Sequence, residues 1–360
     1  MIFYALLSHF HDIFTGFVQR SHNIVFALLN CFERIPLLIF KKMNNSPKYP
    51  LISIIMPCYN SEAFLEETIK DVFRQTYPHI ELIIVDDGST DLSPAILNEA
   101  LKKNPGLTIL NQENKGPFPA RNLALEHVKG EFIAFLDADD YWAPDCLQKL
   151  YNTLKGANAD LSYCGWQNVV ENGEDGPPYL PPTYEQGNIH ETFLRGCPWP
   201  IHAALTRKTI VDKVGGFSTR CFSAMDYDFW IRLSAITQNI VRVPEVLAFY
   251  RWHNHGQISS IKWRQLLDAW QVRKDFVNQH PNLLGHMKSS TLKELINSPL
   301  QKQAREAFWK RDFISAQKIF RAMLVKGGWR LGDLKYILPS LLPLSIYRCL
   351  TKLLERNSQI

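Results

Sequence analysis

Leu51-Ile52-Ser53-Ile54-Ile55-Met56-Pro57 is a nearly continuous apolar run, the pattern of a strand buried on both faces. After it, Ser61 to Thr76 places Phe64, Leu65, Ile69, Val72 and Phe73 at helical spacing, with Ser61 as the candidate N-cap. Glu81-Leu82-Ile83-Ile84-Val85 reads as a second buried strand, Ser93 to Lys103 as a helix, Leu107 to Leu110 as a short strand and Pro119 to Lys129 as a helix. Glu131-Phe132-Ile133-Ala134-Phe135-Leu136 continues the alternation as a fourth strand. Strands and helices alternating through short connections predict an α/β fold with a mostly parallel sheet and right-handed crossovers. Ligands of such sheets bind beyond the carboxyl ends of the strands, so a functional site is expected in the segments just past each strand.

Pro57-Cys58-Tyr59-Asn60 comes after the first strand, Asp86-Asp87-Gly88-Ser89-Thr90-Asp91 after the second and Asp137-Ala138-Asp139-Asp140 after the fourth. An aromatic and several carboxylates therefore meet at one sheet edge. Crowded carboxylates repel unless a cation, a ligand hydroxyl or a proton compensates them. Any one Asp can be a turn or cap residue, and Asp91 and Asp140 are read that way. Asp87, Asp137 and Asp139 together point to a site. Neither G-x-G-x-x-G, nor G-x-x-x-x-G-K-[ST], nor G-x-S-x-G occurs, which disfavours a dinucleotide dehydrogenase, a P-loop NTPase and a Ser hydrolase. Hard carboxylate oxygens suit Mg²⁺ or Mn²⁺ bridging the phosphates of a nucleotide.

Composition sets the outer bounds. The chain has 360 residues, 46% hydrophobic and 21% charged, enough to bury a core. At about 150 residues per domain, that length suggests about two domains. A net charge of +5 is too mild to call for a nucleic-acid partner, and none is expected. Seven cysteines without a C-x-x-C pair read as reduced thiols of a cytoplasmic protein.

Both ends are apolar. In residues 1–42, Asp12, Arg20, Glu33 and Arg34 interrupt the run, and no charge-free stretch reaches the roughly 18–20 residues of a spanning helix. Two readings stay open: a helical anchor lying in a membrane interface, or a working start at Met43. Tyr336 to Tyr347 is uncharged, but Pro339 and Pro343 forbid one straight spanning helix. With Arg348, Lys352 and Arg356 behind it, this segment is either a helix packed on the body or a basic foot on a membrane surface. Ala304 to Lys310 and Phe313 to Lys326 predict a helical hairpin burying Ala304, Phe308, Ala316, Phe320 and Met323. The expected organisation is an extension over 1–48, a sheet domain over 49–260 and a helical region over 261–360 that covers the acceptor side or docks on a membrane.

Six fragments occur in order within residues 50–255: Ser53-Ile54-Ile55-Met56-Pro57-Cys58-Tyr59-Asn60, the Asp86–Asp91 segment, Asn114-Lys115-Gly116 with Ala120-Arg121-Asn122, Phe135-Leu136-Asp137-Ala138-Asp139-Asp140, Val214-Gly215-Gly216-Phe217, and Met225-Asp226-Tyr227-Asp228-Phe229-Trp230-Ile231-Arg232-Leu233. In this order and spacing they resemble the family 2 glycosyltransferases, inverting enzymes of the GT-A fold. The resemblance implies a nucleotide-sugar donor, a UDP-sugar by preference, and a saccharide or lipid-linked acceptor in cell-surface polysaccharide or glycolipid synthesis. It implies that Tyr59 stacks on the base beside Pro57 and that Asp87 accepts from the base's imide edge. Arg121 would face the anionic nucleotide, Asp137 the ribose, and Asp139 the metal that neutralises the departing diphosphate. Asp226 would be the general base, with an N-cap role as the plainer reading.

Met225 stands where the family commonly has Glu, which bears on acceptor binding. Tyr250-Arg251-Trp252-His253 resembles a family segment whose histidine, here His253, could reach the metal or diphosphate. His202 and Trp199 are candidates for acceptor contacts. The competing reading is a catalytically weakened sugar-binding protein on the same scaffold, supported by Met225 alone. A nucleotidyltransferase would want a Gly-rich basic loop after the first strand, where Pro57-Cys58-Tyr59-Asn60 stands instead. The expected location is the cytoplasm, either free or peripheral on the inner face of the membrane.

Overall fold

β1 (Ile52–Cys58) is buried at every position, as its unbroken apolar run requires. In the computed structural model, which describes residues 49–170, 173–253 and 261–348, β1 lies parallel between β2 (Ile80–Asp86) and β4 (Phe132–Phe135). β3 (Leu107–Asn111) pairs with β2, also parallel. The register sets Cys58 opposite Asp86 and Ile55 opposite Phe135, so the residues after these strands emerge at one edge. The crossovers are α1 (Leu65–Phe73), α2 (Ser93–Lys103) and α3 (Pro117–Leu125).

Beyond β4 the sheet becomes mixed. α4 (Cys146–Gly156), α5 (Ile189–Arg195), α6 (Lys208–Val214) and α7 (Met225–Ile236) interleave with β5 (Tyr141–Trp142), β6 (Leu161–Val170), β7 (Ala204–Arg207) and β8 (Ile240–Trp252). The full order is β3-β2-β1-β4-β7-β6-β8-β5, with β7 antiparallel to both β4 and β6, β6 parallel to β8, and β5 antiparallel to β8.

Two helices of the sheet half depart most from the sequence reading. Helix α1 starts at Leu65, because Ser61 caps nothing with its side chain; its carbonyl accepts from the Phe64 and Leu65 N–H groups in a turn. Helix α3 starts at Pro117 behind Gly116 and ends at Leu125.

The helical region consists of α8 (Lys262–Gln279), α9 (Ser289–Trp309), α10 (Phe313–Lys326) and α11 (Leu334–Ser340). The hairpin is as expected, with Ala304, Ala316, Phe320 and Met323 fully buried and Phe308 packed against them. Trp270 of α8 and Ile337 of α11 join the same cluster, so these helices share one core. The described residues from Pro50 onward form a single compact unit. Among the described residues no helix is long and apolar enough to cross a membrane. The expectations for residues 1–48, Lys352 and Arg356 lie outside the described residues.

Candidate active site

One side of the site is assembled where β1 and β2 end. Asp87 N–H donates to the Cys58 carbonyl (2.8 Å), and the Asn60 side chain accepts from Thr90 N–H (2.8 Å), lacing the two strand tips together. This leaves the Tyr59 ring 49% exposed at the mouth of the cavity. Asp87 is buried and accepts from Gln112 Nε2 (2.6 Å), Lys115 N–H (2.8 Å) and Gly116 N–H (2.8 Å). It therefore clasps the β3–α3 loop, and Gln112 is a partner that sequence patterning did not single out. Gly116 sits at φ +93°, ψ 170°, a conformation open essentially to glycine alone. Burial pushes the Cys58 thiol up to about 12, so it is a neutral wall rather than a nucleophile.

Asp137 and Arg121 meet in an ion pair on the cavity floor. The Arg121 guanidinium is almost fully enclosed, and its Nη1 donates to Met225 Sδ at 3.0 Å. The thioether thus occupies a position from which a carboxylate would have paired with Arg121. Arg121 Nε meets no acceptor among the described residues.

His253 Nε2 lies 2.9 Å from Asp139 Oδ2, and the Phe64 ring packs 4.8 Å from the imidazole to hold its orientation. A carboxylate oxygen and an imidazole nitrogen converging in this way suit a divalent cation. No group of three or more His, Cys, Asp or Glu among the described residues could hold a metal alone. A cation here would draw its remaining ligands from a bound diphosphate and water, and the pair fits that arrangement.

Asp226 lies in the first turn of α7. The N-cap is Ala224, which has no side-chain cap bond, so the capping reading of Asp226 is corrected. Burial pushes its carboxyl up to about 6, Arg121 pulls it down and Asp137 pushes it further up. Asp228, two residues on, is spent on Arg232 at 2.7 Å and does not line the cavity. The cavity, of about 980 Å³, is lined by Pro57, Tyr59, Asp87, Arg121, Asp137, Asp139, Met225, Asp226 and His253. Gln265, Ala269 and Arg273 of α8 also line it, so the helical region contributes part of the wall.

Two sequence expectations are overturned. His202 is fully buried outside the cavity, its Nδ1 3.1 Å from Asp140 Oδ2, and cannot touch an acceptor. Trp199 is equally buried, stacked on Tyr163 (4.3 Å between centroids, 9° between planes) as a core residue. Both fail for one reason: the segment before β7 turns into the core. Asp140 closes a turn as read, its N–H donating to the Asp137 carbonyl (3.1 Å), and its carboxylate, fully enclosed, also ties that turn to β8. Burial pushes the Asp140 carboxyl up against the pull of His202; burial lowers His202, but Asp140 outweighs it and the imidazole is raised.

The profile of glycosyl transferase family 2 matches residues 53–227. TuaG of Bacillus subtilis, a glycosyltransferase assigned to teichuronic acid biosynthesis, is 31% identical over 64% of this chain and 90% of its own. WfgD of Escherichia coli, named UDP-Glc:alpha-D-GlcNAc-diphosphoundecaprenol beta-1,3-glucosyltransferase, is 30% identical over 63% of this chain and 87% of its own. Among solved structures, Staphylococcus aureus TarS 1–349 with UDP-GlcNAc superposes with a TM-score of 0.57 at 20% identity, covering 81% of this chain and 79% of that one. The mannosyltransferase PcManGT of Pyrobaculum calidifontis with GDP-Man and Mn²⁺ gives 0.51 at 19% identity, covering 91% and 93%. These structures share the fold, GT-A, that the strand order and the carboxylate edge describe. With a matching profile over the sheet half and relatives aligned along most of their length, the chain belongs to glycosyl transferase family 2 and is a glycosyltransferase.

Proposed function

We propose that the chain transfers a hexose, with inversion, from a nucleoside diphosphate donor to a saccharide or lipid-linked acceptor in cell-surface polysaccharide or glycolipid synthesis. One observation carries the reading: Tyr59, Asp87, Asp139, His253 and Asp226 line a single cavity. The exposed Tyr59 face receives the base, and Asp87, fixed by three donors, keeps acceptor capacity for an imide N–H. That favours uracil, in keeping with the UDP-sugars named for TarS and WfgD. Asp137, braced by Arg121, faces the ribose. Asp139 and His253 would hold a divalent cation, which when bound would supply charge neutralisation for the leaving diphosphate.

Asp226 acts on the other substrate. The acceptor hydroxyl oxygen forms its bond to the anomeric carbon as the bond to the diphosphate breaks on the opposite face, and the hydroxyl proton passes to the Asp226 carboxylate. A carboxyl raised to about 6 is ionised at neutral pH and a better base than an ordinary Asp. The lipid-linked acceptor named for WfgD makes the same class attractive here. It would place the working enzyme at the cytoplasmic face of a membrane, where exposed Leu338, Leu341 and Ile346 offer an apolar contact.

The test is nucleoside diphosphate release from UDP-, dTDP- and GDP-sugars, with Mn²⁺ and with EDTA. Release from a UDP-sugar, abolished by EDTA and by Asp139→Ala, is expected. Tight donor binding without release under any condition would reduce the protein to a sugar-nucleotide binder.

A further inference from the structure

The end of β8 is held against the Asp137–Asp140 turn by a side chain. β5 and β8 pair antiparallel only at Tyr141↔Phe249 and Trp142↔Ala248. Past Trp142 the ladder goes on, Ala143 N–H donating to the Leu247 carbonyl at 2.9 Å; toward Asp140 it stops, and Asp140 Oδ1 accepts the Arg251 N–H at 2.9 Å. The second carboxylate oxygen lies 3.1 Å from Nδ1 of the buried His202, and the Asp140 carbonyl accepts from Thr68 Oγ1 at 3.1 Å. His202 is itself anchored, its carbonyl accepting from Trp142 Nε1 at 2.7 Å. A fully enclosed carboxylate is costly to bury, and an apolar side chain would fill the same space more cheaply. Its geometry supplies the reason for it.

We propose that Asp140 is a positioning residue for the metal-facing pair, a side-chain rung that ends the β5–β8 ladder and thereby sets His253 against Asp139. The inference rests on the reading of Asp139 and His253 as metal ligands. Asp139 directly precedes Asp140, and His253 lies two residues past Arg251, so the rung connects the two short segments that bear the ligands. Continuing the ladder by backbone would pair residue 139 with residue 251, and the pleat would then dictate where the Asp139 side chain points. A side-chain rung holds the strand while leaving the turn free to aim Asp139 at His253, 2.9 Å away. Arg251 is steadied in the same place, its guanidinium lying over the Tyr141 (4.8 Å) and Phe64 (5.2 Å) rings.

The experiment loads the full chain with Mn²⁺ and UDP and reads two quantities without turnover: Mn²⁺ affinity, and the nitrogen modulation of coordinated imidazole by pulsed electron paramagnetic resonance. The parent is expected to show the modulation and His253→Ala to lack it. Asp140→Ala is expected to bind Mn²⁺ about 10–100-fold more weakly, the range for partners that orient metal ligands, and to lose the modulation at saturating Mn²⁺. Asp140→Asn, which keeps an oxygen acceptor for the Arg251 N–H, is expected to retain it. Should Asp140→Ala fail to fold, Asp140→Ser, too short to reach that N–H, carries the same expectation. Parental modulation in the Ala or Ser variant, or its loss in a folded Asn variant, overturns the positioning role. A parent without modulation, or His253→Ala with it, overturns the reading of the ligands instead.

Discussion

Asp226 is held differently from the carboxylates around it. Asp137 has Arg121, Asp139 has His253 and Asp87 has three donors, whereas burial leaves Asp226 with a carboxyl raised to about 6. A base works ionised, so kcat is expected to fall as pH drops through about 6 and to level off above it, read from a pH–rate profile. Stability runs the other way. The folded pKa exceeds the ordinary 3.8, so the group's contribution is fully present below 3.8 and is lost as pH rises through about 6. Asp226→Asn is therefore expected to lower kcat by about 10²–10⁴-fold while raising Tm at pH 7 and leaving UDP affinity nearly unchanged. Turnover within a few-fold of the parent would move the search for the base to His253, since Asp228 is committed to Arg232. At this scale residue type was informative for the carboxylates and uninformative for His202 and Trp199. An imidazole or indole suits a core as well as a sugar, and only the path of the chain decides between them.

Among the elements, the β3–α3 loop depends most on a single residue. Gly116 combines φ +93° with an N–H donated to Asp87, and an added Cβ would lie 3.0 Å from the Phe222 ring. Gly116→Ala is expected to cost about 1–3 kcal/mol of backbone strain. That cost should appear as a lower Tm and, because the Asp87 clasp loosens, as weaker UDP binding by calorimetry. A variant with parental UDP affinity would detach the clasp from donor binding. The parallel strands and their helices were legible because their apolar runs and helical periodicities are local signals. The strands β5 to β8 were not. β6 pairs with β8 across some eighty residues of chain, with register shifts around Gly165, and no local pattern announces such a partner.

At the scale of the molecule, the helical region is part of the catalytic body. Arg273 of α8 lines the cavity and donates to the Leu194 carbonyl at 2.8 Å, and Asp268 accepts from Ser223 N–H at 2.9 Å and from its hydroxyl at 2.6 Å. Heating is therefore expected to unfold the sheet and the helices together in one calorimetric transition. Phe320, fully buried between α9, α10 and α11, tests this coupling. Phe320→Ala is expected to destabilise by about 3–5 kcal/mol and to move the whole transition, donor protection included. A second transition that alone responds to the substitution would show that the helices fold independently.

Taken alone, the sequence determined the α/β class, the edge at which Tyr59, Asp87, Asp137 and Asp139 gather, and Asp226 as the candidate base. The class and the edge rest on strand periodicity and on the rule that chemistry sits beyond strand ends, and Asp226 on the family resemblance of its segment. The tertiary structure alone decided that Arg121 binds Met225 and that the Asp140 carboxylate and His202 are internal, and it set His253, which the resemblance had offered for the metal or diphosphate, against Asp139 across 114 positions. These are contacts between residues distant in the chain. Which side chains a folded backbone turns inward is set by packing and by the need to pair every buried charge, and neither is written in local pattern.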